Sequence, residues 1–204
     1  MLCYVLKNYM APSYDLILAN IAKHIHLDDN EVAFFKSLLR HRKIRKRQYL
    51  LQAGDLSAYE NFITKGCLRA YTVDQQGEEH IIMFGVEGWW ISDLYSFLTN
   101  TPATQNIDAL EDSEVFSIER SDLDMLYEKV PKFNKFFLKL LQNAFVAHQR
   151  RILASISQTA EEQYIDFIAK YPSIEQRVPQ HQIASYLGLS PETISRIRRN
   201  KAQK

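Results

Sequence analysis

The stretch Val178-Pro179-Gln180-His181-Gln182-Ile183-Ala184-Ser185-Tyr186-Leu187-Gly188-Leu189-Ser190-Pro191-Glu192-Thr193-Ile194-Ser195-Arg196-Ile197-Arg198-Arg199 decides the architecture. Pro179 suits the first turn of a helix, and Ile183, Ala184 and Leu187 share one face of it. Gly188 supplies the left-handed residue that ends a helix. Ser190 is a good N-cap, with Pro191 at the first helical position behind it. Ile194 and Ile197 carry the buried face of a second helix, and Leu189 tucks between the two. The pattern predicts a helix-turn-helix.

The second helix leaves Glu192, Thr193, Ser195, Arg196 and Arg199 facing outward. Glu192 and Arg196 are four apart and share a face. In a major groove an arginine forms two bonds to guanine, and a carboxylate accepts from cytosine. Neighbouring polar groups, among them Gln180, His181 and Ser190, suit phosphates of double-stranded DNA. The competing reading makes Glu192 and Arg196 a surface ion pair of little worth. The basic tail of Arg196, Arg198, Arg199, Lys201 and Lys204 favours DNA.

Upstream, Thr159 to Lys170 reads as a short helix with Ile165, Phe167 and Ile168 as its buried side, ended by Tyr171-Pro172-Ser173. Before it, Pro131 to Ser157 has no glycine or further proline and predicts a helix about 40 Å long. Its apolar residues cover more than one face, which fits either a partner helix or burial in one large core. Phe137, Leu141, Ala144, Phe145, His148 and Ile152 are the candidate face for a homodimer.

From Lys43 to Glu119 the period changes. Tyr49–Leu51, Asn61–Thr64, Leu68–Val73, His80–Phe84, Trp89–Ile91, Gln105–Leu110 and Glu114–Ile118 read as short strands, with one helical interruption over Ser92 to Thr99. Five of the six glycines, Gly54, Gly66, Gly77, Gly85 and Gly88, fall in this region. Many tight turns between short strands predict a sandwich or jelly-roll barrel. Asp15 to Arg40 reads as helical, with Asp28 or Asp29 as an N-cap. The expected division is an N-terminal extension (1–20), a sensor or scaffold domain (21–130), a dimerisation helix (131–157) and a DNA-binding domain (158–204).

The order of these parts resembles the CRP/FNR family of bacterial transcription regulators, over about residues 20 to 200. Leu51-Gln52-Ala53-Gly54-Asp55, Ile63-Thr64-Lys65-Gly66 and Asp74-Gln75-Gln76-Gly77 look like that family's barrel turns. Gly88-Trp89-Trp90-Ile91-Ser92-Asp93 looks like the start of its phosphate-binding cassette, and Ser190 to Arg196 like its recognition helix. The resemblance implies an α+β fold: a cyclic-nucleotide-binding-like β-jelly-roll, a long dimerisation helix and a winged helix-turn-helix. It also implies a homodimer on a near-palindromic site, with RNA polymerase as a further partner. Gly88, Ser92, Asp93, Thr104 and Gln105 become candidates for an effector pocket.

The departures are specific. Cyclic-AMP binders of that family carry an Arg-Ser pair after the cassette helix, and Ala103-Thr104 stands there in this chain. No arginine lies between Arg69 and Arg120, and a buried phosphate without a cation is costly. Asp93 and Glu87 add repulsion. Control by cyclic AMP is therefore not expected. The oxygen-sensing branch needs four thiolates for an iron–sulfur cluster, and Cys3 and Cys67 are the only cysteines. No ligand spacing supports a haem branch, so the cofactor stays unknown. Few residues follow Arg199, which implies a shortened wing.

Other motifs carry less. His24 and His26 point about 200° apart on a helix and do not share a metal. Within the expected strand region Lys43 to Glu119, His80 is the only histidine, and no catalytic constellation is visible. Trp89 and Trp90 read as packing residues more readily than as ligand contacts. The run Arg40 to Arg47 holds six Lys/Arg and no acid. It reads as a solvated edge, with contact to bent DNA as the alternative. No apolar run approaches a membrane span, and Met1 to Met10 makes a poor signal peptide. A reduced, cytoplasmic setting is expected. The runner-up function is a small-molecule-binding signalling module acting through protein–protein contacts.

The chain has 204 residues, with 25 Lys+Arg against 24 Asp+Glu and a formal net charge of +1. That balance hides an uneven distribution. Arg177 to Lys204 holds six Lys/Arg and one acid, and the Arg40–Arg47 run is basic, so the remainder is acidic.

Overall fold

A computed structural model describes residues 12–202. The elements are α1 (Asp15–Ala22), α2 (Asp29–Leu38), β1 (Arg40–Ile44), β2 (Tyr49–Leu51), β3 (Tyr59–Lys65), β4 (Leu68–Val73), β5 (Glu79–Gly85) and β6 (Trp90–Ile91). They continue with α3 (Leu94–Thr99), β7 (Asn106–Ala109), β8 (Ser113–Glu119), α4 (Arg120–Lys129) and α5 (Lys132–Ser157). The C-terminal part is α6 (Ala160–Lys170), α7 (Pro172–Arg177), α8 (Gln180–Leu187) and α9 (Pro191–Ala202).

The strands form two antiparallel four-stranded sheets, ordered β1-β8-β3-β6 and β2-β7-β4-β5. Alternation along each strand sorts the side chains. Ile63, Val115, Leu68, Ala70, Ile107 and Ala109 point between the sheets with Ile44 and Ile91, and fill the interior. Phe62, Phe116 and Ile118 point out of the first sheet into a helical layer of α1, α2, α4 and the start of α5. Tyr71, Ile81 and Phe84 point out of the second sheet onto α6, α7, α8 and α9. The β3–β4 turn is tight: a Cβ on Gly66 (φ +100°) would sit 2.1 Å from Ser113 Oγ.

The expected sandwich followed by a long helix and a helix-turn-helix is present, with corrections in detail. Ile17 and Ile21 of α1 are buried beside Phe116 and Phe133, so residues 15–20 belong to the barrel's helical layer and not to an extension. Residues 1–11 lie outside the described residues. Asp28 is the cap of α2: its carboxylate accepts from Glu31 N, and Glu31 returns the bond to Asp28 N. The first strand begins at Arg40, three residues before the expected change of period. Tyr171-Pro172-Ser173 ends α6 as expected, but Pro172 also starts a further helix, α7. In α6 the buried residues are Tyr164 and Phe167, while Ile165 is exposed. No wing strand follows α9 among the described residues.

The apolar anchor of helix α5 is at its start. Phe133 and Phe136 are fully buried. Phe137, assigned from sequence to a dimer face, packs inside its own chain, with ring centroids 5.3 Å from Trp90 and 5.7 Å from Tyr127. Aromatic edges and faces suit each other there better than an exposed ring suits water. Beyond it, every residue from Leu141 to Arg150 is exposed.

One buried carboxyl stands in the layer between β3, the α3 segment and α4. Glu60 is 8% exposed and accepts a 2.9 Å hydrogen bond from Ser92 Oγ. Burial pushes its pKa up to about 7. Unfolded, the group releases its proton near the usual carboxylate pKa, so between about pH 4.5 and pH 7 the unfolded chain sheds a proton that the folded chain keeps. This contribution is fully present below that window and is lost as pH rises through it. In thermal melts, Glu60→Gln should gain stability relative to the wild type by order 2–3 kcal/mol between pH 4.5 and pH 8. A difference that does not change with pH would falsify the buried, protonated Glu60.

Candidate nucleic-acid interface

Helix α8 ends at Gly188 in the left-handed region (φ +69°), whose N–H donates to the Ser185 carbonyl, while Leu189 N–H reaches back to Ala184. Ser190 Oγ then accepts from Thr193 N at 3.2 Å, and Pro191 starts α9. Ile183, Ala184 and Ile194 are fully buried, and Ile197 nearly so. Leu187 and Leu189 pack against them. The angle between the two helices thus rests on the residues the sequence singled out.

The outward face of α9 is open. Glu192, Ser195, Arg196 and Arg199 are exposed. Glu192 and Arg196 make no ion pair with each other or with any described residue, so the surface-pair reading is not what the structure adopts. Thr193 is half-buried, its hydroxyl 3.1 Å from Ser190 Oγ, so both hydroxyls serve the cap. His181 is exposed at the start of α8, and Gln180 beside it is half-buried with its Oε1 unpartnered among the described residues.

Sequence reasoning missed the groups that fix this unit on the barrel. β5 is an edge strand, and α8 covers it: Ile81 N–H donates to Ser185 Oγ (3.0 Å), and Ser185 Oγ–H donates to the Glu79 carbonyl (3.0 Å). Arg151 of α5 donates to the Ile82 carbonyl at 2.6 Å and lies over the Tyr186 ring, 4.8 Å from its centroid. Arg177 of α7 grips Glu87 at 2.8 Å and also binds Glu111. The alternation that turns Tyr71, Ile81 and Phe84 outward was a usable signal; the polar partners left none in the sequence.

The cassette residues do not all meet. Asp93, Thr104 and Gln105 come together, whereas Ser92 bonds Glu60 and Gly88 lies before β6, its carbonyl accepting from Asn20. Asp93 is fully buried and caps α3 by accepting from Ser96 N (3.1 Å). Its other oxygen accepts from Thr104 N (3.0 Å) and Gln105 N (3.3 Å). An anion of the chain itself therefore holds the backbone donors of this corner. Glu87, expected to add repulsion here, faces Arg177 instead. Trp90 packs on Phe62 and the start of α5, and Trp89 packs on Tyr171. Burial pushes the Cys67 thiol up to about 12, which keeps it from acting as a thiolate. Cys3 lies outside the described residues.

Residues 41–130 match the sequence profile of the cyclic nucleotide-binding domain. The chain is 30% identical over 185 residues to regulatory protein HlyX of Actinobacillus pleuropneumoniae, covering 84% of this chain and 75% of that one. It is 29% identical over 197 residues to the fumarate and nitrate reduction regulatory protein of Vibrio cholerae, covering 90% and 77%. This chain belongs to the CRP/FNR family of transcription regulators. Its fold is that of FixK2 from Bradyrhizobium japonicum, with a TM-score of 0.71 at 17% identity over 81% of this chain and 85% of that one. As a CRP/FNR regulator it acts in transcription, which sets aside the signalling module that works through protein contacts alone. No helix among the described residues is long and apolar enough to cross a membrane.

For a CRP/FNR regulator the Asp93 geometry has a direct test. Calorimetric titration with cyclic AMP and with cyclic GMP should give no binding heat, since Asp93 already holds the backbone donors of this corner and the neighbouring Arg120 guanidinium faces the Ser57 and Ser96 carbonyls and the Phe97 ring. Micromolar affinity for either nucleotide would contradict it.

Proposed function

We propose that this chain is a cytoplasmic, homodimeric regulator that reads a near-palindromic DNA site and is not controlled by cyclic AMP. The open, unpaired face of α9 carries the reading. Arg196 reads a guanine, Glu192 accepts from a cytosine amine, and Ser195 and Arg199 flank them toward phosphates. His181, Gln180 and the capped Ser190–Thr193 corner meet the backbone beside the groove. The exposed part of α5 supports the dimer: Leu138, Leu141, Phe145, Ile152 and Ile156 recur at helical spacing and are all exposed in the single chain. Ala144 and His148 lie along the same stripe. Pairing two such stripes buries them and sets two recognition helices about one turn of DNA apart, roughly 34–36 Å.

RNA polymerase is the natural further partner for a transcription regulator. If a small-molecule effector exists, its site differs from the cyclic-nucleotide mode, because Asp93 occupies the donors. An iron–sulfur cluster bound by four cysteines is not open to a chain with two.

Two measurements test this reading. With sites selected from random DNA and then permuted base by base, Arg196→Ala should lose about 1–3 kcal/mol of discrimination at one base pair in each half-site. Unchanged preference would remove Arg196 from base reading. In sedimentation, Phe145→Glu combined with Leu141→Glu should leave a folded monomer that binds the full site at least about tenfold more weakly, as expected when a desolvated seam receives charges. A dimer that persists would place the seam elsewhere.

A further inference from the structure

The helix that carries the candidate dimer seam and the helix that opens the reading unit meet the barrel on the same short stretch of backbone. β5 is an edge strand, and its register with β4 passes from Tyr71↔Ile81 to Ala70↔Met83. Ile82 is therefore an extra residue without a β4 partner, a β-bulge. The backbone groups around it are divided between two helices. Ser185 of α8 takes the Glu79 carbonyl and the Ile81 N–H, and Arg151 of α5 donates to the Ile82 carbonyl at 2.6 Å. The Arg151 guanidinium also lies 4.8 Å from the centroid of the Tyr186 ring, the residue after Ser185. That ring packs on Phe84 of β5 and on Phe167 of α6, with centroids 5.5 Å apart in both pairs. One side chain of α5 thus touches the barrel edge and the reading unit together.

Its place along α5 gives this contact leverage. Phe133 and Phe136 are buried, every residue from Leu141 to Arg150 is exposed, and Arg151 is the first half-buried residue after that span. From Phe136 to Arg151 the helix runs ~22 Å at ~1.5 Å per residue. A tilt of ~10° about the buried start carries this end sideways by ~4 Å, about one base-pair step of ~3.4 Å. His148 and Ile152 of the proposed seam stand on either side of Arg151 in sequence. The direction of α5 relative to the barrel sets where the dimer axis runs, while the barrel edge holds α8 and through it α9. The distance of each recognition helix from the axis therefore depends on the tie at Arg151.

The chemistry of the tie suits arginine. A guanidinium offers a fork of N–H donors and a flat face that stacks on rings, so one group serves the carbonyl and Tyr186 at once. Lysine keeps the charge and loses the fork. Methionine keeps the apolar stem alone.

We infer that Arg151 is the positioning residue that sets the spacing of the two recognition helices, by tying the seam of α5 to the bulge of β5 and to Tyr186 of α8. The inference rests on the dimeric DNA-binding reading above and deepens it. Arg151 touches no base in this scheme; it decides which separation of half-sites the dimer accepts.

The experiment uses the full chain and a series of duplexes. All carry the selected half-sites, at the selected spacing or with the spacer lengthened or shortened by one or two base pairs. In fluorescence anisotropy the wild type should prefer the selected spacing sharply. Arg151→Met should bind that spacing about tenfold more weakly, and its affinities across the series should level to within about threefold. Arg151→Lys should fall between the two. Both variants should remain dimers in sedimentation and keep the wild-type base preference within a half-site. The ratio between spacings is the readout, because a general loss of folded protein weakens all duplexes alike and leaves the ratio unchanged. A variant with the wild-type ratio, a variant that turns monomeric, or one that loses base preference overturns the inference. Wild-type protein that binds one half-site as tightly as two overturns the dimer reading, and wild-type protein that binds no duplex overturns the DNA-binding reading.

Discussion

The open edge of β5 is the constraint on which this molecule depends. An edge strand presents unpaired N–H and C=O groups that must be covered or kept from pairing with other chains. Here the cover is α8, the first helix of the reading unit. Ser185 serves both roles at once, accepting from Ile81 and donating to Glu79. The apolar surface around it, Tyr71, Ile81 and Phe84 against Tyr164, Phe167 and Ile183, gives the contact its area. The reading unit is thus part of the barrel's own solution to its edge. Its position relative to the sheet follows from satisfying backbone groups.

Much of the fold was legible because each part had its own local signal. Gly188, Ser190 and Pro191 mark the turn between the last two helices by backbone chemistry that few other residues supply. The glycine-rich window and short alternating runs marked the sandwich. What stayed hidden depended on tertiary partners. Arg40 to Lys43 reads as a charged run and forms a strand because β8 pairs with it. Phe137 sits on an apolar helix face and turns inward because Trp90 and Tyr127 offer it edges and faces. Tyr164 displaces Ile165 from the buried side of α6 for the same kind of reason: the ring fits the space beneath α7 and α9.

The candidate site divides along the same line. The outward residues of α9 could be read from spacing alone, since a helix with a buried Ile194 and Ile197 leaves one face for everything else. The cassette could not. Asp93 reads as a charge that would repel an anion, whereas the structure shows it accepting from the backbone N–H groups of Ser96, Thr104 and Gln105. The family scaffold is retained, and the backbone donors at the start of α3 and at Thr104 and Gln105 are taken up by the chain's own Asp93.

Arg177 gives the molecule a sensitivity of a different kind. Its side chain and those of Glu87 and Glu111 are 24%, 38% and 41% exposed, so dissolved ions reach and screen the clamp. Salt then acts on two steps: release of DNA phosphates, and loosening of the joint that aims α9. A double-logarithmic plot of affinity against salt should therefore bend downward at high ionic strength instead of running straight.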